Sequence, residues 1–455
     1  MTLAPYRTAL TFFLLAVAYA ASLIYDTLIV QEYPQIQTLL GASIAACFAG
    51  MLVLVPYPRQ VLMPLLLSSW PLHLYCASVL FIIWGFHGGW MLGQAAFYTP
   101  FAYAMYLLLP LVLFLDRRTF TAFTKMVGVT SAGLALPSFW GAMGHQHLFG
   151  IPLRLKFSYS DFSGIIASAG LFEHAEGHAF QMAIGALCCY YLLRSGEKAI
   201  VYGPCLLLTL AGLVISQGRA VILGLVIAGF FALLPELFRR SRPIFLGTLA
   251  VVLIFPVLIL PQIASVPGVG RYLRAERGLS GREEAWQFAL AVIKEKPWTG
   301  HGFMASTELT ELESKRLRKS GFSGAGTTFH NTFISKSVDL GLAVTGVYTL
   351  LYLLPLIRIC VSSRYRYEQE LLRSMLLLTL TASIFRDYNI GGIRSTAMLS
   401  AAFLGACNLW PMLSERGWGL QDTRFHNAPS MFWPNGGDSG RIGKGPGFRQ
   451  LPVSP

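Results

Sequence analysis

The chain has 455 residues, of which 54% are hydrophobic and only 13% charged. Soluble domains carry roughly 25% charged residues, so these proportions exclude a soluble protein, a disordered chain and a coiled coil. The net charge of +13, from 35 Lys and Arg against 22 Asp and Glu, would suggest nucleic acid in a soluble protein. In a membrane protein it reads first as basic inner loops that set topology, or as a site for an anionic, lipid-phosphate ligand.

A bilayer span takes roughly 20 predominantly apolar residues. Candidates are Thr8–Val30, Ile36–Tyr57, Val61–Trp84, Pro100–Leu115, Phe123–Trp140, Phe180–Leu193, Ile200–Ser216, Ala220–Phe238, Pro243–Ile263, Thr332–Ile357, Leu371–Phe385 and Arg394–Leu409. The pattern predicts an all-α, polytopic membrane protein of about twelve spans. Pro64 and Pro71 predict a kink in the third span. Ala18-Tyr19-Ala20 has the small-residue form of a signal cleavage site, but the apolar run continues past it, which favours a retained first span. The seven cysteines lie in or beside apolar stretches, with neither disulfide-framework nor zinc spacing, and read as packing residues.

Fourteen basic residues fall on the connections that are cytoplasmic if the N-terminus is inside. The short outer connections carry only Arg154, Lys156, Arg219, Arg386 and Arg394, which places both termini inside. The membrane domain then covers residues 1–411, with a large outer loop over 264–330. Residues 412–455, rich in Gly, Pro, Ser and Asn, read as a disordered cytoplasmic tail.

Three outer segments concentrate polar chemistry. Gly141–Ala179 holds Glu173, His174, Glu176 and His178, along with His145 and His147. Its histidine spacing lacks the zincin order, and a polar cavity lining is the better reading than a metal site. The turn Ser216-Gln217-Gly218-Arg219 sets a guanidinium at the membrane boundary, where it either snorkels or clamps a phosphate. The large loop holds ten Lys/Arg and seven Glu, with Arg271, Arg274, Arg277 and Arg282 clustered ahead of a predicted amphipathic helix, Arg282–Lys296.

In that helix Trp286, Leu290 and Ile293 share one face, which predicts a helix resting on the outer leaflet. Arg282 opens it, at a position where free N–H groups and the dipole suit phosphate, while the other arginines read as lipid-headgroup contacts. His330-Asn331 stands where the loop re-enters the membrane, and a histidine there has the right proton affinity to accept a hydroxyl proton. The same Phe-His-Asn recurs at Phe425-His426-Asn427 in the tail, so context and not the tripeptide carries this reading. Gly440–Gly445 lacks the spacing and the Ser/Thr of a P-loop.

In order along the chain stand Gly170-Leu171-Phe172-Glu173-His174, Ile215-Ser216-Gln217-Gly218-Arg219-Ala220, Gly281-Arg282-Glu283-Glu284-Ala285-Trp286, Lys296-Pro297-Trp298-Thr299-Gly300-His301-Gly302 and Phe329-His330-Asn331-Thr332-Phe333, which leads to Asp339-Leu340-Gly341-Leu342. Through these pieces, over roughly residues 165–360, the chain resembles the O-antigen ligase/polymerase superfamily of bacterial inner-membrane glycosyltransferases.

The resemblance implies a many-span helical fold related to the C-type glycosyltransferases and an active site facing the periplasm. It implies a glycan donor linked to undecaprenyl diphosphate, a lipid A–core or glycan acceptor, contacts with membrane lipids, and neither cofactor, metal nor nucleic acid. Carried over, Arg219 and Arg282 bind the diphosphate and His330 takes the proton, with Ser216, Gln217, Asn331, Glu173, His174, His178 and His301 as candidate substrate contacts. Many relatives have a plainer Ser-Arg pair where this chain has Gln217-Gly218. Ligase, polymerase and protein O-glycosyltransferase are the three activities in view. The low-complexity tail argues against the third, and the reading leans to a ligase. A flippase or transporter would put paired repeats and ionisable residues at mid-membrane, a pattern not visible in this chain.

Overall fold

The computed structural model describes residues 4–55, 59–114, 117–156, 166–240, 282–319, 329–361, 367–386 and 392–415, together with residues 243 and 390. The expected span at 243–263, the arginines at 271, 274 and 277, and the tail beyond 415 lie outside them, as does the side chain of Arg282.

The chain is a polytopic, overwhelmingly helical membrane protein. Helices α1 (Ala4–Tyr25), α2 (Leu28–Glu32) and α3 (Pro34–Leu54) are followed by α4 (Arg59–Ser68) and α5 (Trp70–Phe86). Next come α6 (Gly89–Tyr103), a π-turn over Ala104–Leu108, α7 (Leu109–Leu113), α8 (Arg117–Ala142), α9 (Ala175–Arg194), α10 (Ala199–Ser216) and α11 (Arg219–Arg240). Helices α12 (Arg282–Glu295) and α13 (Ala305–Lys319) belong to the large loop, and α14 (Thr332–Val361), α15 (Tyr367–Phe385) and α16 (Ser395–Glu415) complete the order. Among the described residues, five segments are long and apolar enough to cross a membrane: Tyr6–Tyr25, Gln35–Leu54, Met91–Leu113, Ala199–Ser216 and Thr332–Cys360.

The expected third span is two helices, broken at Ser69. Pro71 cannot continue the hydrogen-bond ladder of α4, so it opens a new helix instead. The fourth begins earlier than its apolar core suggested, at Gly89, because Gly88 takes a left-handed φ of 78° and lets the chain turn back into the bundle.

An all-α expectation also missed four short strands. β1 (His147–Leu148) pairs antiparallel with β2 (Ile151–Pro152), and β3 (Arg154–Lys156) with β4 (Ala167–Gly170). Strands of two to four residues leave no alternating pattern to read.

The core lies between α9 and its neighbours α8 and α10, and between α14 and α16. Helix α14 is interrupted at Gly341 (φ 81°, ψ 169°), where a helical bond from Leu342 to Val338 cannot form. Residues 297–302 replace it. Leu342 N–H donates to Pro297 O (2.8 Å), while Val338 O and Asp339 O accept from His301 N–H (2.8 Å) and Gly302 N–H (2.9 Å). The approach is backbone to backbone: a Cβ on Gly300 would overlap the Asp339 carbonyl, and one on Gly341 the Trp298 carbonyl. Asp339, itself buried, accepts from Ser306 N–H at the start of α13 (2.7 Å) and faces the buried Lys336 ammonium at 3.6 Å. The large loop is thereby clamped onto the break.

Candidate functional site

The turn between α10 and α11 explains its own sequence. Gln217 ends α10 in the left-handed conformation (φ 53°, ψ 34°) and donates its N–H to Val214 O. Ser216 Oγ donates to Leu213 O (2.6 Å) and accepts from Gly218 N–H (3.3 Å). Gly218 lies so close to Ala179 that a Cβ would collide with it. Gln217-Gly218 therefore presses the turn onto the first turns of α9 and leaves Arg219 half-buried at the start of α11.

The start of α9 carries paired charges. Glu173 binds His174 Nε2 (3.1 Å) and Arg394 Nη2 (3.0 Å), and its N–H donates to Asp26 O (2.9 Å). The hydrogen bond from His174, aided by the charge of Arg394, overrides burial and lowers the Glu173 carboxyl to about 2. Asp26 accepts from both the N–H and the hydroxyl of Ser395, with Arg394 Nε at 4.0 Å. Burial raises its carboxyl, against the opposite pull of Arg394. Glu176 is paired with Arg386 at 2.8 Å.

His330 is held from both sides. The carbonyl of Phe329 before it accepts from the Trp286 indole N–H (2.8 Å) of α12. After it, Asn331 Oδ1 caps α14 by accepting from Phe333 N–H (2.9 Å) and Ile334 N–H (3.0 Å). Thr332 donates through its N–H (3.1 Å) and hydroxyl (2.7 Å) to Arg386 O. His330 itself is half-buried with φ 51°, a left-handed conformation uncommon for a histidine and found where surroundings over-determine the backbone.

Arg386 is the hub that sequence reasoning missed. Its carbonyl fixes the helix that begins beside His330, and its guanidinium fixes Glu176, three residues before the Ala179 that seats the Arg219 turn. Helix α12, opened by Arg282, is anchored one turn later through Trp286 to Phe329. A relay of contacts through Arg386, Glu176 and Ala179 thus links the segment bearing His330 to the Arg219 turn, and Trp286 links α12 to the same segment.

The buried face of that helix is turned to the protein. Ala289, Val292 and Ile293 are buried against Phe329 and Val338, while Leu290 is exposed. The expected stripe was one residue out of register, because Leu290 outweighs the small Ala289 in a hydropathy reading although Ala289 is the residue that fits the contact.

Three expected substrate contacts make their hydrogen bonds within the protein, and a fourth is buried. Ser216 is fully buried in its turn and Asn331 is the cap of α14. His301 Nε2 donates to Val292 O (3.0 Å) and so ties α12 to α14. His178 is fully buried beside Phe172, with neither ring nitrogen bonded among the described residues. Gln217, Glu173 and His174 keep partial exposure. Among the described residues no group of three or more His, Cys, Asp or Glu could hold a metal ion. Asp26 and Arg394 were also overlooked; a lone aspartate inside an apparent apolar span was the available signal for the first.

Residues 204–349 match the family model described as O-antigen ligase. The matched stretch runs from α10 to the middle of α14 and contains the Arg219 turn, α12, His330 and the Gly341 break. No curated protein matches the chain.

Proposed function

We propose, from the O-antigen ligase domain the chain carries, that it transfers a glycan from undecaprenyl diphosphate to a lipid A–core sugar at the periplasmic face of the inner membrane. The observation that supports this most is the relay of contacts through Arg386 that links the elements bearing Arg219 and His330, with α12, which Arg282 opens, bonded beside His330. In this reading the acceptor hydroxyl oxygen attacks the anomeric carbon as its proton passes to the His330 imidazole. The bond from that carbon to the phosphate oxygen breaks, and undecaprenyl diphosphate leaves with the electron pair. Arg219 and Arg282 neutralise the charge that develops on it.

Replacing His330 or Arg219 with alanine is expected to abolish transfer while membrane levels of the protein stay normal. Full activity of both variants, read by lipopolysaccharide gel, would refute this assignment. A strain lacking the protein should accumulate long glycan chains on the lipid carrier. Single repeat units on the carrier would instead make it a polymerase, and normal glycans would remove both readings.

A further inference from the structure

The hairpin β1–β2 turns through Phe149-Gly150, both with positive φ (49° and 82°). Such two-residue turns favour Asn-Gly, because a left-handed conformation is unfavourable for a bulky side chain. Here the position is held by a phenylalanine that is 96% exposed. An aromatic so exposed in that backbone state contributes little to the packing of the described residues, which directs attention to its surroundings.

Helix α8 shows what those surroundings are. Val129, Gly133, Leu136 and Trp140 are all exposed and follow i, i+4, i+7, i+11 spacing, one continuous apolar face along a helix of 26 residues, about 39 Å long, and the exposed Met143 follows just past its end. In a membrane protein that face meets lipid. At its outer end the Trp140 indole N–H donates to His147 O (3.1 Å) at the base of the hairpin, and the Trp140 ring stacks on His145 with centroids 4.0 Å apart. The hairpin is thereby fastened to the lipid-facing side of α8. Residues 143–156 include Arg154 and Lys156 and contain no acidic residue, so their charge complements anionic headgroups.

We propose that the β1–β2 hairpin is a membrane-interface anchor that inserts Phe149 among the anionic phospholipids of the outer leaflet. It lies immediately before β3 and β4, and β4 leads directly into Glu173 and His174, so the anchor steadies that wall of the site against the bilayer. The inference is independent of the reaction the protein performs.

The test is a nitroxide at Phe149→Cys, in a chain whose accessible Cys205 and Cys360 are replaced, reconstituted in phosphatidylethanolamine–phosphatidylglycerol vesicles. The label should collide severalfold more with oxygen than with a water-soluble nickel chelate, and a label at Met143→Cys should do the same. A label at Glu308→Cys in the large loop should show the reverse. Nickel exceeding oxygen at 149 would place the hairpin in water and overturn the proposal. Shielding from both reagents with an immobilised spectrum would indicate a protein partner or a second copy, and would equally overturn it. Vesicles of phosphatidylcholine alone should reduce the oxygen preference; an unchanged ratio would overturn the part assigned to anionic headgroups.

Discussion

Gly341 adopts a backbone conformation that only glycine takes readily, and its partner Gly300 has φ 65°. Gly341→Ala must both strain the backbone and push away the Trp298 carbonyl, a cost of about 1–3 kcal/mol or more. Gly346, further along α14, has open space around its Cβ position, so Gly346→Ala should hold or raise stability. Thermal unfolding midpoints in detergent check both, and equal midpoints would show that the clamp is not a stability determinant. Glu173 supplies a second test at this scale. Its folded carboxyl, at about 2, lies below the ordinary range, so its contribution is complete above about pH 4.5 and is lost as pH falls toward 2. Glu173→Gln should flatten the acid limb of stability in that window. Asp26 has the opposite sign, since burial raises it and protonation relieves a cost, so Asp26→Asn should not flatten that limb.

Helix α12 matters through one indole. Trp286→Phe keeps most of the packing and removes only the bond to Phe329 O, worth about 1 kcal/mol. If that bond aligns His330, transfer should fall while membrane levels hold; unchanged transfer would show that apolar packing alone positions the loop. At this scale much was legible in the sequence. The apolar runs marked most described helices to within a few residues, and Arg282 does open α12. What stayed hidden depends on distant partners. The pairing of Arg386 with Glu176 joins residues 210 apart in sequence, and no local pattern encodes it. The bonds that Asn331 and Ser216 make within the protein were not legible either, because polar residues at helix ends suit both capping and binding.

At the scale of the whole molecule, several of the scarce charges among the described residues join distant elements. Arg117 binds Glu368 (2.8 Å) and Lys125 binds Glu197 (2.7 Å). Asp26, Glu173, Glu176, Arg386 and Arg394 tie together the end of α1, the start of α9 and the connection between α15 and α16. Composition alone pointed to a membrane protein, but not that these charges form one joint between elements far apart in the chain. Asp26 and Ser395 are 369 residues apart. At about 5–20 residues per second, a ribosome delivers the second roughly 20–70 s after the first. Throughout that interval the first helix carries a carboxylate whose partners have not yet been made. The joint that Asp26 makes with Ser395 and Arg394 therefore closes only after the helices between them have been synthesised.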